Sequence, residues 1–296
     1  MAERTQKLFR VTLLGTGAPP PLLHRFGPST LVEAGSEKYI FDTGRGAMQR
    51  LNQLQIPFAD ITGIFLTHHH SDHLVGFIDL WLTGWIGRPW GKRKVPLKVW
   101  GPEGTHQMME HLPKAFAVDL RVRRKNYPAD GVKLESQEIN EGVVLEQSGL
   151  RVTAFKVDHG GEELAAFGYR IDYHDRSAVL SGDTTFNENL IAHATKTDLL
   201  IHEVTAVSGS AGEDREQLKR IASNHTTPEQ GGIVFSRVRP KLAVFNHLLL
   251  FGTATADDLL PATRKSYSGP LLVGEDLMSF EIGENVEAHR FTGNGS

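Results

Sequence analysis

The chain has 296 residues, 40% of them hydrophobic, enough to bury a large core, and its 32 Lys+Arg against 35 Asp+Glu leave a formal net charge of −3. That balance excludes a global attraction to nucleic acid while leaving room for a local basic patch. With no cysteine, neither a disulfide framework nor a cysteine-ligated zinc site can form. Met1 to Lys7 carry charge of both signs, the apolar run Val11 to Leu14 stops at Gly15, and no stretch has the length of a membrane helix. The expectation is a soluble cytoplasmic protein with no membrane partner.

Taken in order, short β-like runs open the chain at Phe9 to Leu14, Thr30 to Glu33 and Tyr39 to Asp42, each bounded by Gly or Pro clusters. Gly15-Thr16-Gly17 reads as a tight turn after the first strand. Asp42 ends the third run before a helical stretch from Ala47 to Leu54, and reads equally as a turn cap or as a group orienting a metal-ligating imidazole. A strand at Ile61 to Leu66 follows. Beyond it, an apolar helix-like run with an aromatic and basic end contains Trp81, Trp85, Arg88, Trp90, Lys92, Arg93 and Lys94. It is read as a core-packed helix or dimer contact with a solvated basic loop, against a lid beside the site. Leu97 to Pro102 reads as strand and turn, Glu103 to Leu112 as a helix, and Arg121, Arg123 and Arg124 as a solvated strand face.

From Gly142 the pattern is β-rich: Val143 to Glu146, Leu150 to Val157, Ala166 to Tyr173 and Ser177 to Leu180. Strand and helix then alternate. A strand at Leu199 to Val204 precedes helices near Glu213 to Ala222 and Pro228 to Val238, a strand at Leu242 to Phe245, a helix near Ala256 to Lys265 and a final β run from Leu271 to Ile282. Gly293 to Ser296 reads as a frayed tail.

The chemistry concentrates in Thr67-His68-His69-His70-Ser71-Asp72-His73, directly after a buried-type strand. In an extended segment alternate side chains share a side, so His68 and His70 can converge on one ion while His69 and Ser71 turn away. A turn into the next helix would redirect Asp72 and His73 to a second point nearby. Imidazole and carboxylate suit zinc, and also iron or manganese. The competing reading is a solvated His-rich loop. His159, Asp183 and His247 each close another apolar strand-like run, which makes them candidate ligands from other strand ends of one scaffold.

The ordered set His68, His70, Asp72, His73, His159, Asp183 and His247 resembles the metallo-β-lactamase superfamily along essentially the whole chain. Leu14-Gly15-Thr16-Gly17, Asp42-Thr43-Gly44-Arg45-Gly46, Gly101-Pro102, Ile201-His202-Glu203-Val204-Thr205 and His225-Thr226-Thr227 resemble its ribonuclease Z and arylsulfatase-like branch. The resemblance implies an α/β (α+β) fold, a four-layer αββα sandwich in one domain over residues 1–296, with two similar halves of roughly 1–180 and 181–296. It also implies two Zn2+ (with Mn2+ or Fe2+ as variants): His68, His70 and His159 on one, Asp72, His73 and His247 on the other, and Asp183 bridging. Asp72 would hold the nucleophile's proton. His225, oriented by Glu203, would protonate the leaving oxygen.

Members that process tRNA extrude a long arm between the third-motif His and the bridging Asp, whereas two short strands fill the interval from His159 to Asp183 here. Leu248-Leu249-Leu250-Phe251 and the loop Pro19 to His24 also depart from their polar and basic patterns. The leading expectation is therefore a dinuclear zinc hydrolase of a small-molecule ester, an aryl sulfate or phosphodiester. The alternative is a tRNA 3′-processing endonuclease without the arm. A lactonase or β-lactam hydrolase, and an iron-dependent redox member, are further readings, and relatives suggest a homodimer.

Overall fold

A computed structural model of the chain describes residues 8–86, 91–161, 163–209 and 215–293. Strands β1 (Phe9–Gly15), β2 (Ser29–Ala34) and β3 (Glu37–Phe41) form the antiparallel opening expected from their spacing. Beside β3, strands β4 (Gly63–Phe65), β5 (Leu97–Gly101) and β6 (Leu134–Glu138) are added in parallel. Their crossovers carry α1 (Ala47–Gln53), α2 (Ser71–Leu74), α3 (Phe77–Ile86), α4 (Thr105–Ala115) and α5 (Ala117–Arg123). A second sheet runs as an antiparallel meander through β7 (Gly142–Gln147), β8 (Leu150–Val157), β9 (Ala166–Tyr173) and β10 (Arg176–Leu180). It continues in parallel through β11 (Leu199–Ser208), β12 (Leu242–Gly252) and β13 (Leu271–Val273). The associated helices are α6 (Glu188–Ala194), α7 (Arg215–Ala222), α8 (Pro228–Val238) and α9 (Leu259–Thr263).

Alternation along the strands explains why the two sheets stack. Phe9, Val11 and Leu13 of β1 face Leu150 and Val152 of β8 and Ile171 of β9 in one apolar layer between the sheets. The opposite faces are covered by helices: Leu80, Trp81 and Trp85 of α3 lie on the first sheet, and Val234, Phe235 and Val238 of α8 on the second. The result is the expected helix-sheet-sheet-helix sandwich.

Several expectations differ in detail. Strands β7 to β10 belong to the second sheet, and β14 (Ser279–Ile282) with β15 (Val286–His289) returns to the first beside β1. The chain thus passes from the first sheet to the second between Glu138 and Gly142 and returns to the first after Val273. The expected β run from Leu271 to Ile282 is accordingly split between the sheets. The stretch holding Arg121, Arg123 and Arg124 is the end of helix α5, not a strand, because Leu120 anchors it by one apolar face at helical spacing from Phe116. β6, of sequence LESQE, carries no apolar alternation that could reveal it. Arg88, Trp90, Glu213 and residues 294–296 lie outside the described residues.

Trp81 and Trp85 are fully buried, and their indole N–H groups donate to the carbonyls of Val132 (2.9 Å) and Pro128 (2.8 Å), so neither forms a lid. Arg93 is also buried, donating to the carbonyls of Trp81 and Gly131, and burial lowers its pKa to about 10. Trp81→Ala should cost about 3–5 kcal/mol in urea unfolding through the cavity left in this layer. Lys94→Ala, at an exposed position, should change stability by less than about 0.5 kcal/mol.

Candidate metal centre

Parallel pairing of β10, β11 and β12 points their C-terminal ends to one edge of the sandwich. Side chains from four separated segments meet there. His68 and His70 lie beyond β4; His70 itself is extended (ψ 145°) and precedes α2, whose single turn swings Asp72 and His73 toward a second point. His69 turns away and pairs its Nε2 with the Thr105 hydroxyl (3.0 Å), and Ser71 is exposed. His159 and Asp183 follow β8 and β10. His247 is delivered differently from the expectation that it closes a strand. β12 runs past it to Gly252, and the pairing with β11 slips between Glu203 and Val204, so that His247 bulges out with φ 45°. The bulge aims its ring at the cluster.

Two ligand groups form, each with its donor atoms within 4.8 Å of one another: His68, His70 and His159, and Asp72, His73 and His247. Between them sits the Asp183 carboxylate. Its Oδ2 lies 4.0 Å from His68 Nε2 and 3.8 Å from His159 Nε2 on one side, and 3.3 Å from both His73 Nε2 and His247 Nε2 on the other. Asp72 Oδ2 is 3.4 Å from His247 Nε2 and 3.7 Å from His73 Nε2.

The other nitrogens of several rings are tied down. His68 Nδ1 is 2.9 Å from the Thr67 hydroxyl, His159 Nδ1 donates to the Asn224 carbonyl (3.0 Å), and His73 Nδ1 donates to Asp42 Oδ2 (2.7 Å). Asp42, in a left-handed conformation (φ 59°), also accepts from the backbone N–H and the hydroxyl of Thr67. It therefore holds both ends of the motif, the role expected of an orienting carboxylate. Gly76 completes this packing. A Cβ there would lie 2.4 Å from the Gly44 carbonyl, and its N–H donates to Thr43. The supporting roles of Thr67 and Asn224 carry no signal in the sequence, since neither belongs to a ligand pattern.

Burial and charge act in opposition here. Burial pushes the Asp183 carboxyl up, but the surrounding His247 and His73 imidazoles hold it well below the usual range. Burial and the His73 charge together depress His68 well below an ordinary imidazole. Nε2 of His68 and His73 and Oδ1 of Asp183 are buried without a hydrogen-bond partner. Unpaired imidazole and carboxylate lone pairs gathered at one place fit divalent cations and little else.

At the rim of the cluster, His225 Nδ1 is 3.2 Å from Glu203 Oε1, which also accepts from the N–H groups of Thr184 (3.2 Å) and Thr226 (3.0 Å). A donor atom of His225 lies within 4.8 Å of those of His159 and Asp183. Burial lowers the His225 pKa, but the hydrogen bond and charge of Glu203 outweigh it, so the ring holds a proton more strongly than a free imidazole.

The beta-lactamase superfamily domain model matches residues 37–248 of the chain. Ribonuclease Z of Mycobacterium marinum is 30% identical over 280 residues, which cover 93% of this chain and 99% of that protein. Ribonuclease Z of Mycobacterium sp. strain KMS is 30% identical over 284 residues, covering 94% and 98%. Among solved structures, the metallo-β-lactamase-fold protein YhfI of Bacillus subtilis superposes with a TM-score of 0.73 at 17% identity, covering 93% of this chain and 99% of that one. Human tRNase Z, short form, gives 0.67 at 21%, covering 91% and 98%. Both carry the same fold.

Asp42→Ala should leave the protein folded but weaken metal binding about 10–100-fold, because His73 loses the partner that fixes its tautomer and direction. Metal titration into stripped protein measures this. Unchanged affinity would show that Asp42 only caps its turn.

Proposed function

Because the chain belongs to the metallo-β-lactamase superfamily, in its ribonuclease Z branch, we propose that it is a metal-dependent endoribonuclease cutting precursor tRNA at a 3′-side phosphodiester. The observation that supports the hydrolytic chemistry is the single Asp183 carboxylate shared between two ligand groups. The choice of RNA rests on kinship with ribonucleases Z aligned over nearly their full length.

In this reading His68, His70 and His159 would hold one cation, Asp72, His73 and His247 the other, and Asp183 would be shared between them. A zinc pair bound there would supply a water ionised near neutral pH and positive charge facing the phosphate. Asp72 then has a second task. Its carboxylate lies in the second ligand group beside His247, where it can keep the nucleophile's proton. His225 holds a proton at the ring nitrogen not engaged by Glu203 and delivers it to the departing ribose oxygen. Glu203, fixed by two backbone N–H groups, keeps that ring oriented.

One observation favours a second reading, hydrolysis of a small aryl sulfate or phosphodiester. Only Asp158 to Ala165 connect β8 to β9, so no arm for gripping tRNA emerges there. The mycobacterial relatives blunt this argument, because the alignment accounts for 99% of one of them and leaves no length for a long arm either.

Two outcomes test the proposal. Zinc-loaded protein should cut precursor tRNA at its 3′ side, and Asp183→Ala should abolish cutting together with most bound metal. His225→Ala should keep its metal, lose about 10²–10⁴-fold in turnover of RNA, and lose far less on bis(p-nitrophenyl) phosphate, whose leaving group needs no proton. Equal losses on both substrates would remove the acid role of His225. Hydrolysis of p-nitrophenyl sulfate without any cutting of RNA would favour the second reading.

A further inference from the structure

Between His111 and Lys125 the chain, acidic as a whole, carries five Lys or Arg against a single carboxylate, Asp119. Asp119 is already paired with Arg123 (2.6 Å). Lys114, Arg121, Arg124 and Lys125 are exposed, and among the described residues none of their side chains has a carboxylate partner or a hydrogen bond. Arg121 lies in the last turn of α5, and Arg124 and Lys125 follow in its C-cap and the turn beyond, so the three gather at one end of the helix.

The fold ties this face to the metal centre. α4 begins against the histidine motif, where the Thr105 hydroxyl meets His69 Nε2 at 3.0 Å and Gly104 lies under the His69 ring. Its first turn is fixed by Glu138, which accepts from the N–H groups of Gly104 (2.8 Å) and His106 (3.1 Å). From that anchor an eleven-residue helix extends about 16 Å before the chain turns into α5. The cationic face thus belongs to the segment that directly follows the helix anchored on the histidine motif. An isolated charge cluster on an exposed helix is ordinarily only a solvated surface. Here its charge opposes that of the whole chain, its members are unpaired among the described residues, and it follows directly on a helix that begins against the histidine motif.

We infer that Lys114, Arg121, Arg124 and Lys125 form a docking surface for the phosphate backbone of an RNA substrate, gripping its body while the metal centre cuts its end. The inference rests on the endoribonuclease reading and supplies the RNA-holding surface that the short β8–β9 connection lacks. Unpaired guanidinium and ammonium groups in water bind polyphosphate by releasing its counterions, without reading sequence. A small ester carries no polyphosphate backbone for these groups to hold.

The test uses the full chain with Arg121→Gln, Arg124→Gln and Lys125→Gln combined, and a second variant with Glu at the same positions. The expected result is a tenfold or greater rise in Kd and KM for precursor tRNA, larger for the Glu variant. The slope of log Kd against log salt should flatten by about two to three, from roughly 0.7–0.9 per lost phosphate contact. Turnover of bis(p-nitrophenyl) phosphate and metal content should stay at the wild-type level. Wild-type Kd and salt slope in both variants would overturn the inference while leaving the endoribonuclease reading standing. A parallel loss on both substrates would also overturn it, since the effect would then come through the site. Protein that binds precursor tRNA without cutting it would refute the endoribonuclease reading alone, with the Kd comparison still deciding this one. Protein that neither binds nor cuts it would end both.

Discussion

The structure turns on the burial of one carboxylate among imidazoles. Asp183 is 3% exposed, and within 4.0 Å of its Oδ2 lie nitrogens of His68, His73, His159 and His247. Removing such a group from water costs several kcal/mol unless charge of the opposite sign replaces the lost hydration. Here the His247 and His73 imidazoles supply that opposing charge. Divalent cations between the donors would supply it more fully, which couples metal binding to the local fold. The surrounding devices follow from that demand: Asp42 holding His73 and Thr67, the Asn224 carbonyl holding His159, and a bulge in β12 that turns His247 inward. Each fixes the direction of a donor that would otherwise repel or miss its neighbours.

Much of this is legible in the sequence because the sandwich obeys local rules. β8 and α8 fall where the strand and helix patterns place them, since in each the buried positions repeat at the period of its element, and β9 falls where its apolar run places it. The motif from His68 to His73 is legible for the same reason. An extended stretch followed by one helical turn gives two directions, and the side chains sort between them by parity. Membership of the superfamily and the ordered set of seven metal-type residues are accordingly within reach of the sequence.

What stays hidden depends on partners far along the chain. β6 is held by pairing with β5 rather than by its own apolar pattern, and nothing local marks it. β13 and β14 read as one run because sequence cannot say that a chain changes sheets between Val273 and Ser279. The conformation of His247 is invisible too: a strand-like neighbourhood conceals a residue at φ 45°, which the slipped register with β11 imposes. Arg121 to Arg124 mislead in the opposite sense. Their charge suggests a solvated strand, while the burial of Leu120 makes a helix.

Substrate size is where sequence and fold pull against each other. The short interval between His159 and Asp183 points toward a small ester, yet an arm is one way of holding RNA and not a condition for cutting it. What the chemistry requires is positive charge at a distance matched to a long polyanion, rigidly referenced to the nucleophile. A helix that starts on the metal motif and leads into a segment of exposed, unpaired arginines is the feature of this chain that could supply such charge. The net charge of −3 then ceases to argue against a nucleic-acid substrate. Screening limits each surface charge to about 8 Å at physiological ionic strength, so an RNA strand responds to the patch it touches rather than to the sum over the molecule.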